Sequence, residues 1–393
     1  MQNKPLHRPI TASFYFFYYA AGASLVPFLA LFYAQMGFSG SQIGLLSALP
    51  PVISLVASPF WTALADATQH HKRILLLTML GAMFSALLIL WSGSSTWLIP
   101  GIACFALFTA PIMPLMDNET LRQLGEQKQQ YGKIRLWGAI GWGIAAPLMG
   151  FFIEQQNLRL IFWVYTGLIF ISLVISRTIK FSTVSTTVLF WSGIRTTLKN
   201  PHWILFLSMV FLGSMTLSTV SNFLFLYMDS QGISKGIMGF ALTIATLSEV
   251  PILFLGSRLL QRFSAYRLML IALAFTGLRV FLLSFTGTPV TFLLIQFLHG
   301  MTFSLAWIAG VSFADEIAPA GLSATAQGIY AGIQLGVGTA VGAMLGGWLY
   351  QVVGPVIMYR ILAGIVAMGV LIFILIGRYQ QNQTKGMFYA KTI

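Results

Sequence analysis

The sequence predicts an all-α membrane protein of twelve transmembrane helices in two parallel six-helix repeats. Composition, the length of the apolar blocks and an internal repeat lead there. Of 393 residues, 57% are hydrophobic and only 8% are charged, with a mean hydropathy of +0.82. Water-soluble domains carry about a quarter charged residues, so this chain is not one of them. Its apolar residues fall in blocks of about 20 or more, long enough as helices to cross a hydrocarbon layer of about 30 Å. The repeat shows at a constant offset of 195 (223 − 28). At that offset Phe28-Leu29 meets Phe223-Leu224, Leu31 meets Leu226, Gly37 meets Gly232, Ser39 meets Ser234 and Gly44 meets Gly239. The same step carries Gly141 onto Gly336 and Gly143 onto Gly338, so helices one, two and five match helices seven, eight and eleven.

The first half reads as helices at about 10–36, 42–64, 74–94, 97–122, 133–153 and 158–177. Lys4 and Arg8 precede the first, which lacks a short apolar core and small-residue cleavage site and is therefore expected to be a retained span. Pro50, Pro51 and Pro59 kink the second helix, and Pro111 and Pro114 the fourth; transporters tolerate such breaks where the freed carbonyls meet a cavity or a neighbour. The second half reads as helices at about 202–228, 236–256, 268–286, 289–314, 322–350 and 354–377. In the eleventh, Gly332, Gly336, Gly338, Gly342 and Gly346 form a small-residue stripe that permits close helix contact. Between the halves lies the longest connector, with Ser182, Thr183, Ser185, Thr186, Thr187, Arg195 and Lys199. The expected organisation is an N-terminal bundle over 1–178, a cytoplasmic linker over 179–201 and a C-terminal bundle over 202–393.

Orientation follows from charge. An even number of crossings puts both termini on one side, and of the 22 Lys and Arg, 18 assign to that side. Arg159, Lys235 and Arg360 assign to the other, and Arg279 falls within a span. Both termini are expected in the cytoplasm, because cytoplasmic loops are the basic ones. The same asymmetry explains the net charge of +13 without nucleic acid, since basic rims suit anionic headgroups. With roughly 33 residues per span and connector, no room remains for a large extramembrane enzyme domain. Cys104 is the single cysteine and lies in an apolar run, so no disulfide forms within the chain. His70 and His71 are read as loop residues without metal-ligand partners at useful spacing. No Gly-x-x-x-x-Gly-Lys-Ser/Thr sequence occurs, so ATP is not the energy source and no cofactor is expected.

Charges near the bilayer centre cost several kcal/mol, so each is functional or part of a closing ion pair. Arg279 lies 12 residues past Arg267, Glu249 nine before Arg258 and His299 ten after Pro289, which puts all three near mid-depth as a candidate cluster. Asp117 and Arg135 sit about one turn from the cytoplasmic ends of helices four and five. These antiparallel neighbours allow a carboxylate–guanidinium pair at a central cavity, and a forked guanidinium suits a carboxylate or vicinal hydroxyls. Trp142, seven residues after Arg135, shares its face and offers an indole for an aromatic ring or a sugar face. A membrane-embedded acyltransferase or hydrolase would need a nucleophile and base together, and His299 stands alone in its region.

Two motifs resemble a known family. Ala63-Leu64-Ala65-Asp66, leading to Lys72-Arg73, resembles a degenerate major facilitator loop motif that keeps its Asp, to which the resemblance gives a role in conformational gating. Tyr131-Gly132-Lys133-Ile134-Arg135-Leu136-Trp137-Gly138, preceded by Pro111-Ile-Met-Pro114-Leu-Met-Asp117, resembles the phenylpropionate permease branch and, more distantly, the lactose permease and its oligosaccharide–proton symporter relatives. The similarity covers nearly the whole chain. It implies a substrate site at Asp117, Arg135 and Trp142, with Asp in place of the lactose permease's Glu. It also implies a proton-coupling group of Glu249, Arg279 and His299. Gln296 and Thr302 stand where that permease has its helix-ten Lys and proton-carrying Glu, so its proton mechanism does not transfer intact; the phenylpropionate branch too pairs a helix-ten His with a following Thr. The resemblance further implies a bacterial inner-membrane location and function as a monomer.

The expectation is a secondary transporter working by alternating access, importing a small aromatic carboxylate such as phenylpropionate with protons. A sugar or nucleoside symporter, a proton-coupled drug exporter and a non-transporting receptor are the alternatives. The partners are the substrate, protons and the lipid bilayer.

Overall fold

A peptide group left unpaired in hydrocarbon costs several kcal/mol, so apolar segments of this length close their hydrogen bonds internally as helices. The structure, a computed structural model, describes residues 8–92, 95–179, 181, 200–318 and 322–390, and every regular element among them is helical. Eleven stretches of the described residues are long and apolar enough to cross a membrane. In the first half these are α1 (Arg8–Gln35), α2 (Gly40–Thr68), α3 (His71–Trp91), α4 (Trp97–Leu124), α5 (Tyr131–Gln155) and α6 (Leu160–Thr178). In the second they are α7 (Pro201–Ser230), α8 (Lys235–Arg262), α9 (Ala265–Leu283), α10 (Pro289–Ile317) and α11 (Thr325–Arg378). The last runs 54 residues and is broken at Gly354, whose φ of 75° and ψ of 169° leave the helical region just before Pro355. Most of the expected linker, 182–199, lies outside the described residues.

Several helices differ from expectation for local reasons. α2 extends to Thr68, where Gln69 ends it in the left-handed conformation. α8 extends to Arg262, where Phe263 turns to extended backbone and closes the helix by donating its amide to the Leu259 carbonyl. α9 begins earlier, at Ala265, because Ser264 caps it by accepting from the Arg267 amide. α1 contains a 3₁₀ turn over Val26–Phe28, set by Pro27. α10 and α11 each carry a π-helical segment, Gly300–Ser304 and Gly332–Val337.

Two of the repeat positions are built alike. Gly37 and Gly232 both turn with positive φ, 85° and 70°. Ser39 and Ser234, two residues on, then cap α2 and α8 by accepting from the amides of Gln42 and Ile237.

Within the first half α1 packs on α5 and α6, α4 on α2 and α3, and α3 on α6; within the second, α7 and α9 pack on α11. The glycine stripe serves that packing. A Cβ at Gly342 would collide with the Met215 carbonyl of α7, and Ser218 and Thr219 of α7 donate to the carbonyls of Thr339 and Gly342, both at 2.7 Å. The halves meet along two seams, α5 against α8 and α2 against α11. In the first seam Gly150 admits the Lys235 backbone, the Glu154 carboxylate accepts the Lys235 amide, and Thr243 donates to the Gly143 carbonyl at 2.6 Å. In the second, the Ser41 amide donates to Gln351 at 3.0 Å. These contacts fall between mid-depth and the side opposite the start of α1.

Candidate functional site

The polar groups expected in the first half come together on α1, α4 and α5. Asp117 of α4 accepts from the Tyr15 hydroxyl at 2.6 Å, and that hydroxyl lies 3.2 Å from Thr120 Oγ1. Arg135 of α5 donates from Nη2 to the Tyr19 hydroxyl, with its guanidinium carbon 4.1 Å from the Tyr19 ring centre and 5.7 Å from that of Tyr15. A cation over an aromatic face is attracted by the ring quadrupole, so Tyr19 fixes the guanidinium by stacking as well as by hydrogen bonding. Trp142 lies against Gly22 of α1, where the missing side chain makes room for the indole.

The expected direct Asp117–Arg135 ion pair is not formed. Tyr15 and Tyr19, one turn apart on α1, each take one of the two charges, because α1 packs closely on α5 and holds its phenols at them. Each charge keeps unused valences: a carboxylate offers about four acceptor sites and a guanidinium five donors.

In the second half Glu249, Arg279 and His299 do form a cluster. Arg279 of α9 is 3% exposed and donates from Nη1 to His299 Nδ1 at 2.8 Å and from Nη2 to Gln296 Oε1 at 2.7 Å, with Thr302 Oγ1 at 3.4 Å. His299 Nε2 lies 3.5 Å from Glu249 Oε1 on α8, whose second oxygen accepts from Ser304 at 3.1 Å. Among the described residues no carboxylate lies within 4.0 Å of Arg279, so its nearest counter-charge reaches it through the imidazole. Gln296 and Thr302, 1% and 0% exposed, are thus acceptors that hold the cation. The imidazole stacks on Phe303, centroids 5.6 Å apart and planes at 8°, and Trp307 follows at 6.1 Å. Next to Thr302 a cavity of about 20 Å³ is lined by Ser214, Thr276 and Gln334 as well, and the Gln334 Oε1 atom is buried without a partner. Thr302 and Gln334 belong to the two π-helical segments, whose local widening re-aims side chains.

Asp66 stands elsewhere, at the rim. Its carboxylate pairs with His71 at 2.8 Å within the first half. His71 is therefore the first residue of α3 with a carboxylate partner, not the partnerless loop residue expected. Among the described residues no group of three or more His, Cys, Asp or Glu could hold a metal.

The residues missed by sequence reasoning are Tyr15, Tyr19 and Ser304. Only the run Phe14–Tyr19, unusually rich in hydroxylated aromatics, offered a signal.

Known proteins carry the same architecture. A nucleoside transporter, NupG, superposes with a TM-score of 0.83 over 94% of this chain and 98% of its own, at 16% identity, which speaks for the fold. The maltose permease of Geobacillus stearothermophilus is 27% identical over 375 residues, 94% of each protein. The probable 3-phenylpropionic acid transporter of Escherichia coli is 25% identical over 350 residues, 86% of this chain and 90% of that one. The model of the MFS_1 like family matches residues 10–361. An integral membrane protein with these helices and relatives is a transporter and not an enzyme, and the chain belongs to the MFS_1 like family of the major facilitator transporters.

Proposed function

We propose that the chain is a proton-coupled symporter that imports a small aromatic carboxylate by alternating access. The observation that carries the reading is Arg135, a guanidinium held on Tyr19 with Trp142 two turns along the same helix face. A carboxylate docks on the free fork and an aromatic ring on the neighbouring rings. The phenylpropionate relative agrees with that pairing.

Proton coupling runs through Glu249. Protonation removes the negative charge and turns one of the two Glu249 oxygens from an acceptor into a donor, which weakens its hold on His299 and Ser304 and so loosens α10 from α8, and α8 forms a seam with the other half. Twelve crossings in two six-helix repeats, 1–178 and 202–393, complete the reading. At 1.5 Å per residue, the 54 residues of α11 would stretch about 80 Å, more than twice the hydrocarbon layer, so the break at Gly354 is read as a turn between two crossings. The matched turns at Gly37 and Gly232 support the repeat. With both termini cytoplasmic in a bacterial inner membrane, the seams close the outer side and the conformation is inward-facing. Asp66 gates the cytoplasmic side, and a monomer suffices.

A sugar or nucleoside is the second reading, favoured by Asp117: its carboxylate accepts from the Tyr15 hydroxyl and would accept equally from a sugar hydroxyl, and the maltose permease is a relative. Uptake of labelled 3-phenylpropionate, maltose and uridine by the purified protein in liposomes separates the readings. Accumulation of 3-phenylpropionate alone, lost in Arg135→Ala, supports the first; accumulation of either other compound alone replaces it with the second; efflux of substrate against its gradient points to export.

A further inference from the structure

On the surface of the first half, where α1 meets α5, a groove of about 520 Å³ opens at the rim where both helices begin. It is lined by Arg8, Pro9, Ser13, Phe17, Lys133 and Trp137, among others. It lies on the opposite side of α5 from the substrate residues. Trp137 is 48% exposed and shares its face with Ile140, Ile144, Leu148 and Phe151, all apolar and exposed, whereas Arg135 and Trp142 point the other way. An exposed apolar stripe on a membrane helix faces acyl chains.

The groove therefore has two unlike ends. Toward the membrane interior its walls are aromatic; at the rim it carries two cations with no carboxylate among the groove residues. Arg8 donates to Gln127 Oε1, at 2.5 Å, which pins the guanidinium at the groove mouth, and among the described residues its other donors meet no hydrogen-bond acceptor. Tryptophan at this depth is at home beside headgroups. Apolar wall, interfacial indole and paired cations complement one class of molecule, an amphiphile with an anionic head. We infer that this groove is a binding site for an anionic phospholipid, with the phosphate between Arg8 and Lys133 and an acyl chain along Phe17 and Trp137. The inference does not depend on the transported substrate.

The test is lipid binding to the purified, full-length protein by native mass spectrometry, titrating phosphatidylglycerol against phosphatidylcholine of the same chains. Wild type is expected to bind phosphatidylglycerol about tenfold or more tightly, the scale of two cations near a headgroup. The double variant Arg8→Gln/Lys133→Gln should lose that preference. Trp137→Ala should weaken both lipids while keeping the preference. Arg258→Gln/Arg262→Gln, which removes two exposed cations from the same rim on α8, serves as control. Equal binding of the two lipids by wild type, or an equal loss in the control pair, would overturn the site. Displacement by chain-free glycerophosphoglycerol at the same concentration would also overturn it, by showing an anion pocket without lipid character.

Discussion

Arg279 donates to His299 Nδ1 over 2.8 Å, and this single bond fixes the state of the ring. A guanidinium has donors only, so Nδ1 must accept and the ring hydrogen sits on Nε2, aimed at Glu249. The imidazole is neutral in this arrangement, and a proton added at Nδ1 must push Arg279 away. In the proposed proton-coupled cycle the proton therefore goes to Glu249, whose two oxygens are held by two residues of α10.

Glu249→Gln keeps the shape and removes the proton carrier. Exchange of labelled for unlabelled substrate across proteoliposomes should survive, while accumulation driven by a pH gradient falls to background. Gradient-driven accumulation at the wild-type level would remove Glu249 from coupling.

Gln296→Leu leaves the Arg279 Nη2 donor without its buried acceptor. The expected loss is about 1–3 kcal/mol of stability, seen as a lower melting temperature in detergent. Gln296→Glu should instead supply a buried counter-charge and melt no lower than wild type.

Arg135→Lys retains the charge but not the fork or the stacking on Tyr19. Uptake should continue with KM raised about tenfold or more, the scale of one desolvated cation–π contact together with a bidentate bond. Tyr19→Phe, which loses only the hydroxyl, should fall between wild type and Arg135→Lys.

Gly150→Val puts a side chain into the Lys235 backbone, and neither partner is a flexible group that can yield. The α5–α8 seam should fail to close, so uptake is lost while substrate binding by right-side-out vesicles persists. Normal uptake would show that the seam does not need this approach.

The charged members of both clusters were legible because a charge in an apolar run stands out against its desolvation cost; Arg279 and Arg135 needed no partner to be noticed. Their phenolic partners were not, since Tyr15 and Tyr19 look like any packing aromatic in the run Phe14–Tyr19. The mediated Asp117–Arg135 contact stayed hidden for the same reason: two helices at compatible depth suggested a direct pair, and the third helix that intervenes leaves no mark on spacing. Gln296 and Thr302 read as departures from a permease pattern, although in space both turn to Arg279. The π-helical segments at Gly300 and Gly332 were illegible, because a slipped hydrogen-bond register changes neither length nor hydropathy. The close approach along the Gly342 stripe was legible, since only small residues let backbones touch.

The most direct measurement is proton movement on adding substrate to lightly buffered, energy-depleted right-side-out vesicles. 3-Phenylpropionate should alkalinise the medium in wild type and leave it unchanged in Arg135→Ala and in Glu249→Gln. Uptake of 3-phenylpropionate without any alkalinisation would contradict proton symport, and alkalinisation that persists in Arg135→Ala would contradict the site.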